Sequence, residues 1–247
     1  MLQLATGDFV RLVPKLPGWV PAPSTWAYLV GVTLVLIGLA ILSGRGARTA
    51  ATVLAAMIFI DVFFLYPTQF VNNPVVDRPF FRGFMWTNPL KCLSLIGGAA
   101  IVAGRFPDQP RFLPALGRGF GRFEAQGAFL LALFLVVCGL QHFAYAEFVA
   151  TLVPSWVPGQ RAWTHFTGLC LIAGGAGILV PKTAHLAAAL SALMVFLWVL
   201  LLHIPRAVAG PAHANETAGA FEALALSGVA LLVAGTRGPQ PRPRGEA

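Results

Sequence analysis

The sequence has few charged residues for its length. Charged side chains make up 11% of its 247 residues, whereas hydrophobic residues make up 57%, and the mean hydropathy is +0.75. A water-soluble domain of this size needs many more charged side chains to cover its surface, so a soluble domain is excluded. Several apolar runs approach the roughly 20 residues that a helix needs to cross a bilayer, which predicts an integral membrane protein.

Paired cysteines are also lacking. Cys92, Cys138 and Cys170 are isolated, each lies in an apolar segment, and no Cys-x-x-Cys pair occurs. A dithiol redox motif is therefore absent from the sequence, and we interpret the three residues as buried structural thiols.

Acidic residues are scarcer than basic ones, with 9 Asp and Glu against 17 Lys and Arg, which gives a formal net charge of +8. The basic residues lie in short loops between the apolar runs, not on helices with interleaved aromatic residues, so we do not expect a nucleic acid partner. The count of Lys and Arg on each side predicts a cytoplasmic C-terminus, in a protein of the bacterial inner (plasma) membrane. No cleavable signal sequence is evident in the first 24 residues.

The apolar runs predict an all-α membrane protein with about seven transmembrane helices in the lipid bilayer. The runs cover residues 25–43, 49–66, 89–104, 128–149, 162–180, 184–204 and 218–235. A basic connection that we predict to be cytoplasmic, residues 105–127, divides them into a group of three and a group of four. The Pro- and Arg-rich tail, residues 236–247, is predicted to be disordered.

The two groups of spans repeat one another. Pro-Gly-Trp-Val-Pro at residues 17–21 matches Pro-Ser-Trp-Val-Pro at residues 154–158, and residues 91–97 match residues 222–228. Further identities in the register of the first match, 137 positions apart, are Trp26 with Trp163, Gly31 with Gly168, Gly38 with Gly175, Met57 with Met194, and Phe59 with Phe196. Self-similarity of this kind predicts tandem units, which we place at residues 1–104 and 128–235.

The first predicted unit lacks the helix that opens the second, since Met1 aligns near Leu140, at the end of that helix. Two explanations stay open. Either the sequence begins inside an ancestral helix, which would give eight spans in all, or three plus four spans is the native design.

Several segments resemble the DoxX-like family of small membrane proteins. The resemblance lies in the linker at residues 148–158, the small-residue helix at residues 168–177, His-Ile-Pro-Arg at residues 203–206, and the opening of the third span at residues 86–91. It implies a four-helix membrane bundle for each unit. Some relatives imply a membrane oxidoreductase partner and quinone- or thiosulfate-linked chemistry, but the redox cysteine pattern of such relatives has no counterpart here. No cofactor is evident from the residues themselves, and the resemblance suggests only a quinone.

Ionisable residues in the spans are the candidates for a functional pocket, because each is costly in a bilayer unless it is paired or hydrated. The candidates, all at the predicted extracytoplasmic end, are Asp61, Lys91, His142, Glu147, His165, His203, Arg206 and Glu222. Asp61 lies between Met-Ile-Phe-Ile and Val-Phe-Phe-Leu and so needs a partner, for which we favour Lys91. For each histidine taken singly, the alternative is an interfacial side chain that bonds a helix end.

The chemistry stays open between three hypotheses. A metal site from His142, His165 and His203 is a weaker idea, because none of them shares helical spacing with another, and we assign no metal. No nucleophile, metal set or nucleotide motif predicts independent catalysis. We therefore consider a membrane subunit that supports quinone- or sulfur-linked redox chemistry through an outward-facing polar pocket, a small-molecule or lipid transporter, and a non-catalytic membrane assembly factor. The sequence does not indicate an oligomeric state.

Overall fold

The computed structural model describes residues 2–9, 16–68, 84–107, 114–209 and 214–238, and within these ranges the chain forms helices and turns but no strand. In chain order the helices are α1 (Leu2–Thr6), α2 (Pro23–Ser43), α3 (Ala47–Ile60), α4 (Phe84–Gly104), α5 (Pro114–Ala144), α6 (Ala146–Ala150), α7 (Gln160–Leu179), α8 (Ala184–Trp198), α9 (Ile204–Ala209) and α10 (Ala214–Arg237). Two π-helical turns, Asp61–Leu65 and Val199–His203, follow α3 and α8. The predicted all-α class is confirmed.

Six helical stretches of the described residues are long and apolar enough to cross a bilayer. They are Pro23–Ser43, Ala47–Thr68, Ala125–Ala144, Gln160–Leu179, Ala184–Ala209 and Glu216–Arg237. These stretches coincide with six of the seven predicted spans, and the chain is an integral membrane protein. The other predicted span, residues 89–104, lies in α4, which has 21 residues. Because Asn88 and Lys91 lie near the start of α4, its uninterrupted apolar part is shorter.

Helix α4 lies between the two predicted groups of spans. It packs against α3, α5 and α10, and α2 packs against α3. In the second group α5 contacts α7, α7 contacts α8, and α8 contacts α10. The largest apolar cluster includes the fully buried side chains Leu131, Leu171 and Val233, which places the core in the second group and along α4.

Small residues allow the helices of the second group to approach closely. A Cβ added at Gly139 of α5 would lie 2.7 Å from the Gly168 carbonyl oxygen of α7, and one added at Gly175 would lie 2.6 Å from the Ala132 carbonyl oxygen. Because backbone atoms cannot move aside as side chains can, only glycine fits at these contacts. Close backbone approach is typical of helix pairs in membranes, where apolar surface alone does not drive association.

Helix α2 has a large exposed surface. Leu36, Leu39 and Leu42 are 60%, 57% and 86% exposed, which in a membrane protein is a surface for lipid. A Cβ at Gly38 would meet none of the described residues within 4 Å, although Gly175, the matching position in α7, is tightly covered by α5. The first group therefore leaves open a helix surface that the second group buries.

Prolines explain the two π-helical turns. The amide of Tyr66, directly before Pro67, donates to the Asp61 carbonyl five residues earlier, and the amide of Ile204, directly before Pro205, donates likewise to Val199. A proline lacks an N–H, and its ring clashes with the carbonyl oxygen four residues earlier, so a wider turn relieves the clash. The apolar runs alone do not indicate these turns.

The basic connection at residues 105–127 is also more helical than expected. Helix α5 begins at Pro114, eleven residues before the apolar stretch Ala125–Ala144. Proline is favoured in the first turn of a helix because its missing N–H would have no partner there. The fourth span therefore continues as a helix beyond its apolar part.

Candidate functional site

Lys91 and Glu222 form a buried ion pair between α4 and α10. The Lys91 Nζ lies 3.1 Å from the Glu222 Oε2, and the two side chains are only 13% and 8% exposed. Lys91 also donates to the Asn88 Oδ1 at 3.3 Å. A charge removed from water needs such partners, because losing its hydration is expensive.

The expected pairing of Asp61 with Lys91 is wrong. Lys91 points across the α4–α10 contact to Glu222, and Asp61 forms no ion pair with it. The reason is helix packing, since α10 lies directly against α4 and presents a carboxylate at the level of Lys91.

Asp61 lies instead near a buried tyrosine and cysteine, Tyr66 and Cys92. Tyr66 and Cys92 lie close enough to interact through their side chains, and both residues are buried, with 8% and 2% of their surface exposed. Asp61 and Glu222 are both close enough to interact electrostatically with this pair. We call Asp61, Tyr66, Lys91, Cys92 and Glu222 the polar cluster.

Helix α5 adds a second polar edge next to the polar cluster. Thr87, one turn before Lys91 on α4, donates to the Gln141 Oε1 at 2.8 Å. The Nδ1 of the neighbouring His142 lies 2.7 Å from the Cys138 carbonyl oxygen. The rings of His142 and Trp198 stack with their centroids 6.0 Å apart. Because a carbonyl only accepts, Nδ1 carries the proton, and His142 is held in one orientation.

Two other candidate residues have partners outside the polar cluster. The rings of His165 and Phe143 stack with their centroids 5.4 Å apart. The Arg206 Nη2 lies 2.7 Å from the Glu216 Oε1, and the side chains of this ion pair are partly exposed. Glu147 is exposed on α6, and His203 is half-buried at the end of the second π-helical turn. Of the eight candidates, the structure pairs Lys91 with Glu222, and it places Asp61 and Glu222 near the same two side chains, Tyr66 and Cys92.

The described part of the chain contains no set of side chains arranged as metal ligands. No three His, Cys, Asp or Glu side chains there are arranged to hold an ion. His142 and His165, two members of the three-histidine idea, instead stack on different aromatic rings.

Cys92, Thr87 and Asn88 were not predicted from the sequence to be members or neighbours of the site. One signal was available, because Thr87, Asn88 and Lys91 are spaced three and four residues apart and therefore share one face of α4. Cys92 had been interpreted as a structural thiol, and its burial agrees, but its contact with Tyr66 places it in the polar cluster.

A lipid-facing surface adjoins the polar cluster. Ile60, Phe63 and Phe64, next to Asp61 in sequence, are 52%, 49% and 65% exposed. Large apolar side chains that face outward from a membrane protein contact lipid tails. A hydrophobic molecule dissolved in the bilayer can therefore come close to Asp61 from the side.

Two family models match parts of the chain. Residues 6–67 match DoxX, and residues 131–236 match a domain of unknown function, DUF8561. The first match includes Asp61 and Tyr66, and the second includes His142 and Glu222. No curated protein and no solved structure matches the chain.

Proposed function

We propose that this chain, an integral membrane protein whose residues 6–67 match DoxX, is a membrane subunit that supports redox chemistry by binding a quinone head group at the polar cluster. The observation that carries the proposal is a buried group of polar side chains, with the Lys91–Glu222 ion pair and the neighbouring Tyr66 and Cys92, at the edge of a lipid-facing surface. The oxidoreductase that passes electrons to or from the quinone would be a partner protein.

The chemistry of the polar cluster suits a quinone. Quinone carbonyl oxygens accept hydrogen bonds, which a tyrosine hydroxyl and a lysine ammonium can donate. Reduction of a quinone to a quinol takes up two electrons and two protons. Asp61 and Glu222 are carboxyl groups within reach of the same cluster, so they can exchange protons with a bound head group.

The long isoprenoid tail of a quinone also suits the site. Ile60, Phe63 and Phe64 form an apolar surface next to Asp61 that can contact such a tail. Binding from the bilayer needs no channel from water, and a head group would reach the polar cluster from the side.

The proposal assigns no independent catalysis to this chain. Cys92 is 2% exposed, so its sulfur is shielded from soluble thiols and sulfur compounds. The sulfur-linked version of the hypothesis therefore has less support than the quinone version.

Quinone binding is directly measurable. The full chain in lipid nanodiscs is titrated with a short-tailed ubiquinone analogue, and affinity is compared for Tyr66→Phe and Asp61→Asn. Loss of one hydrogen bond predicts a weakening of several-fold, up to about tenfold. Tyr28→Phe and Asp8→Asn are matched controls, since both residues are exposed and lie outside the polar cluster. Absence of binding to the wild-type chain would refute the proposal.

A non-catalytic assembly factor is the second candidate. The observation that favours it is that Lys91 and Glu222 neutralise each other, so their charge needs no ligand. Co-purification of an oxidoreductase separates the two ideas. An assembly factor predicts that Tyr66→Phe leaves both the captured complex and its quinone-dependent activity unchanged.

A further inference from the structure

The contact between α4 and α10 brings together residues that the sequence repeat makes equivalent. Residues 91–97 match residues 222–228, a shift of 131 positions. Lys91 contacts Glu222, its own equivalent, at 3.1 Å. A Cβ added at Gly98 would overlap Val229, which is again 131 positions further along.

Contacts between equivalent positions are characteristic of a two-fold interface. When two copies of one surface meet on a two-fold axis, residues near the axis contact their own counterparts. The contacts at positions 91 and 98 are seven residues apart on both helices and follow the same order. Helices α4 and α10 are therefore parallel and in register, as expected for repeats related by an axis along the membrane normal.

The interiors of the two units also correspond. Each has a π-helical turn that ends two residues before a proline, and in each the amide of the intervening residue donates to the carbonyl five residues earlier. In the second unit, a Cβ at Gly168 would meet His142 and Phe143 of α5. In the first unit, a Cβ at the matching Gly31 would meet Gln3 and Leu4 of α1. Helix α1 thus occupies the place of the last turn of α5.

We infer that the chain folds as an internal pair of equivalent units around a two-fold axis between α4 and α10. The Lys91–Glu222 pair makes a first unit associate with a second unit and not with another first unit. The inference does not depend on quinone binding.

Selectivity follows from charge at the axis. If two first units met through α4, one Lys91 would face another, and if two second units met through α10, one Glu222 would face another. Like charges that are 13% and 8% exposed in the present pair would be buried together without compensation. Only a first unit with a second unit places opposite charges on the axis. The partner that this surface fits is therefore the oppositely charged unit of the same sequence.

Charge reversal in the full chain tests the inference. Lys91→Glu creates two carboxylates at the axis, and Glu222→Lys creates two ammonium groups. We expect each single variant to show a lower thermal unfolding midpoint in nanodiscs, and the double variant K91E/E222K to recover most of the loss. Failure of the double variant to recover would overturn the inference.

Co-expression supplies a readout that an ordinary local ion pair would not produce. Chains carrying Lys91→Glu and Glu222→Lys bear different tags and are expressed together. Exchange of units between the chains would restore one Lys–Glu pair at each axis, so we expect several-fold more cross-capture than between two wild-type chains. Cross-capture no higher than between wild-type chains would contradict selective pairing of the units. If the double variant still recovered its unfolding midpoint, the Lys91–Glu222 pair would only stabilise its local surroundings.

A matched control lies within the second unit. Arg206 of α9 and Glu216 of α10 form an ion pair at 2.7 Å, and both belong to the second unit. Chains carrying Arg206→Glu and Glu216→Arg should therefore show no extra cross-capture, because exchange of units cannot reunite opposite charges at that site. Equal capture for both sets of variants would indicate aggregation of destabilised chains and would remove the support for selective pairing.

Discussion

The Lys91 ammonium lies 3.1 Å from the Glu222 carboxylate, on two helices that pack directly against each other. Because both side chains are buried, neither charge is stable without the other. Glu222→Gln would leave the ammonium buried beside a neutral amide. We expect a loss of about 3–5 kcal/mol in the free energy of unfolding. Thermal unfolding in nanodiscs, followed by circular dichroism, measures the change.

Glu216→Gln is the control for this prediction. Glu216 also pairs with a basic residue, Arg206, but the two side chains are 25% and 34% exposed, so water compensates for the lost partner. We expect a loss of at most about 1 kcal/mol. Equal losses for the two variants would mean that the Lys91–Glu222 pair is hydrated in the folded protein.

Glycines at matching positions should respond differently to alanine. Gly175→Ala places a methyl group 2.6 Å from the Ala132 carbonyl oxygen, where the backbone of α5 cannot give way. Overpacking of this kind costs about 1–3 kcal/mol. Gly38→Ala meets none of the described residues within 4 Å, so we expect an unchanged or slightly raised unfolding midpoint. A loss of stability in both variants would show that the open surface of α2 is covered in the membrane.

Pro205 should determine the π-helical turn before it. In Pro205→Ala the new N–H can bond to the Leu201 carbonyl, and the turn can revert to an α-helical one. A π-helical turn holds about one residue more than an α-helical turn, so this change would rotate the following helix by about 100°. Val208 is 73% exposed, so a nitroxide attached at position 208 should lose accessibility to oxygen. Pro154→Ala lies in the linker before α7 and should leave the signal unchanged. A nitroxide signal unaffected by Pro205→Ala would mean that packing, and not the proline, maintains the turn.

The sequence predicted the spans and the end of the bundle where polar residues gather, because apolar length and residue order are local properties. It could not assign the partner of Lys91, since the choice between Asp61 and Glu222 depends on which helix packs against α4. The π-helical turns were missed although a signal existed, namely a proline near the end of an apolar run in both units, Pro67 and Pro205.

Membrane orientation gives the last prediction. Ser155 and Lys182 are both exposed and lie beyond opposite ends of α7, so they should face opposite sides of the membrane. The distribution of basic residues predicts that Lys182 and the C-terminus are cytoplasmic. A membrane-impermeant maleimide should therefore label Ser155→Cys in intact spheroplasts and Lys182→Cys only after permeabilisation. The native cysteines lie in membrane helices, and the unsubstituted chain measures their background. The reverse labelling pattern would invert the topology and place the polar cluster on the cytoplasmic side, where a soluble reductase could reach it.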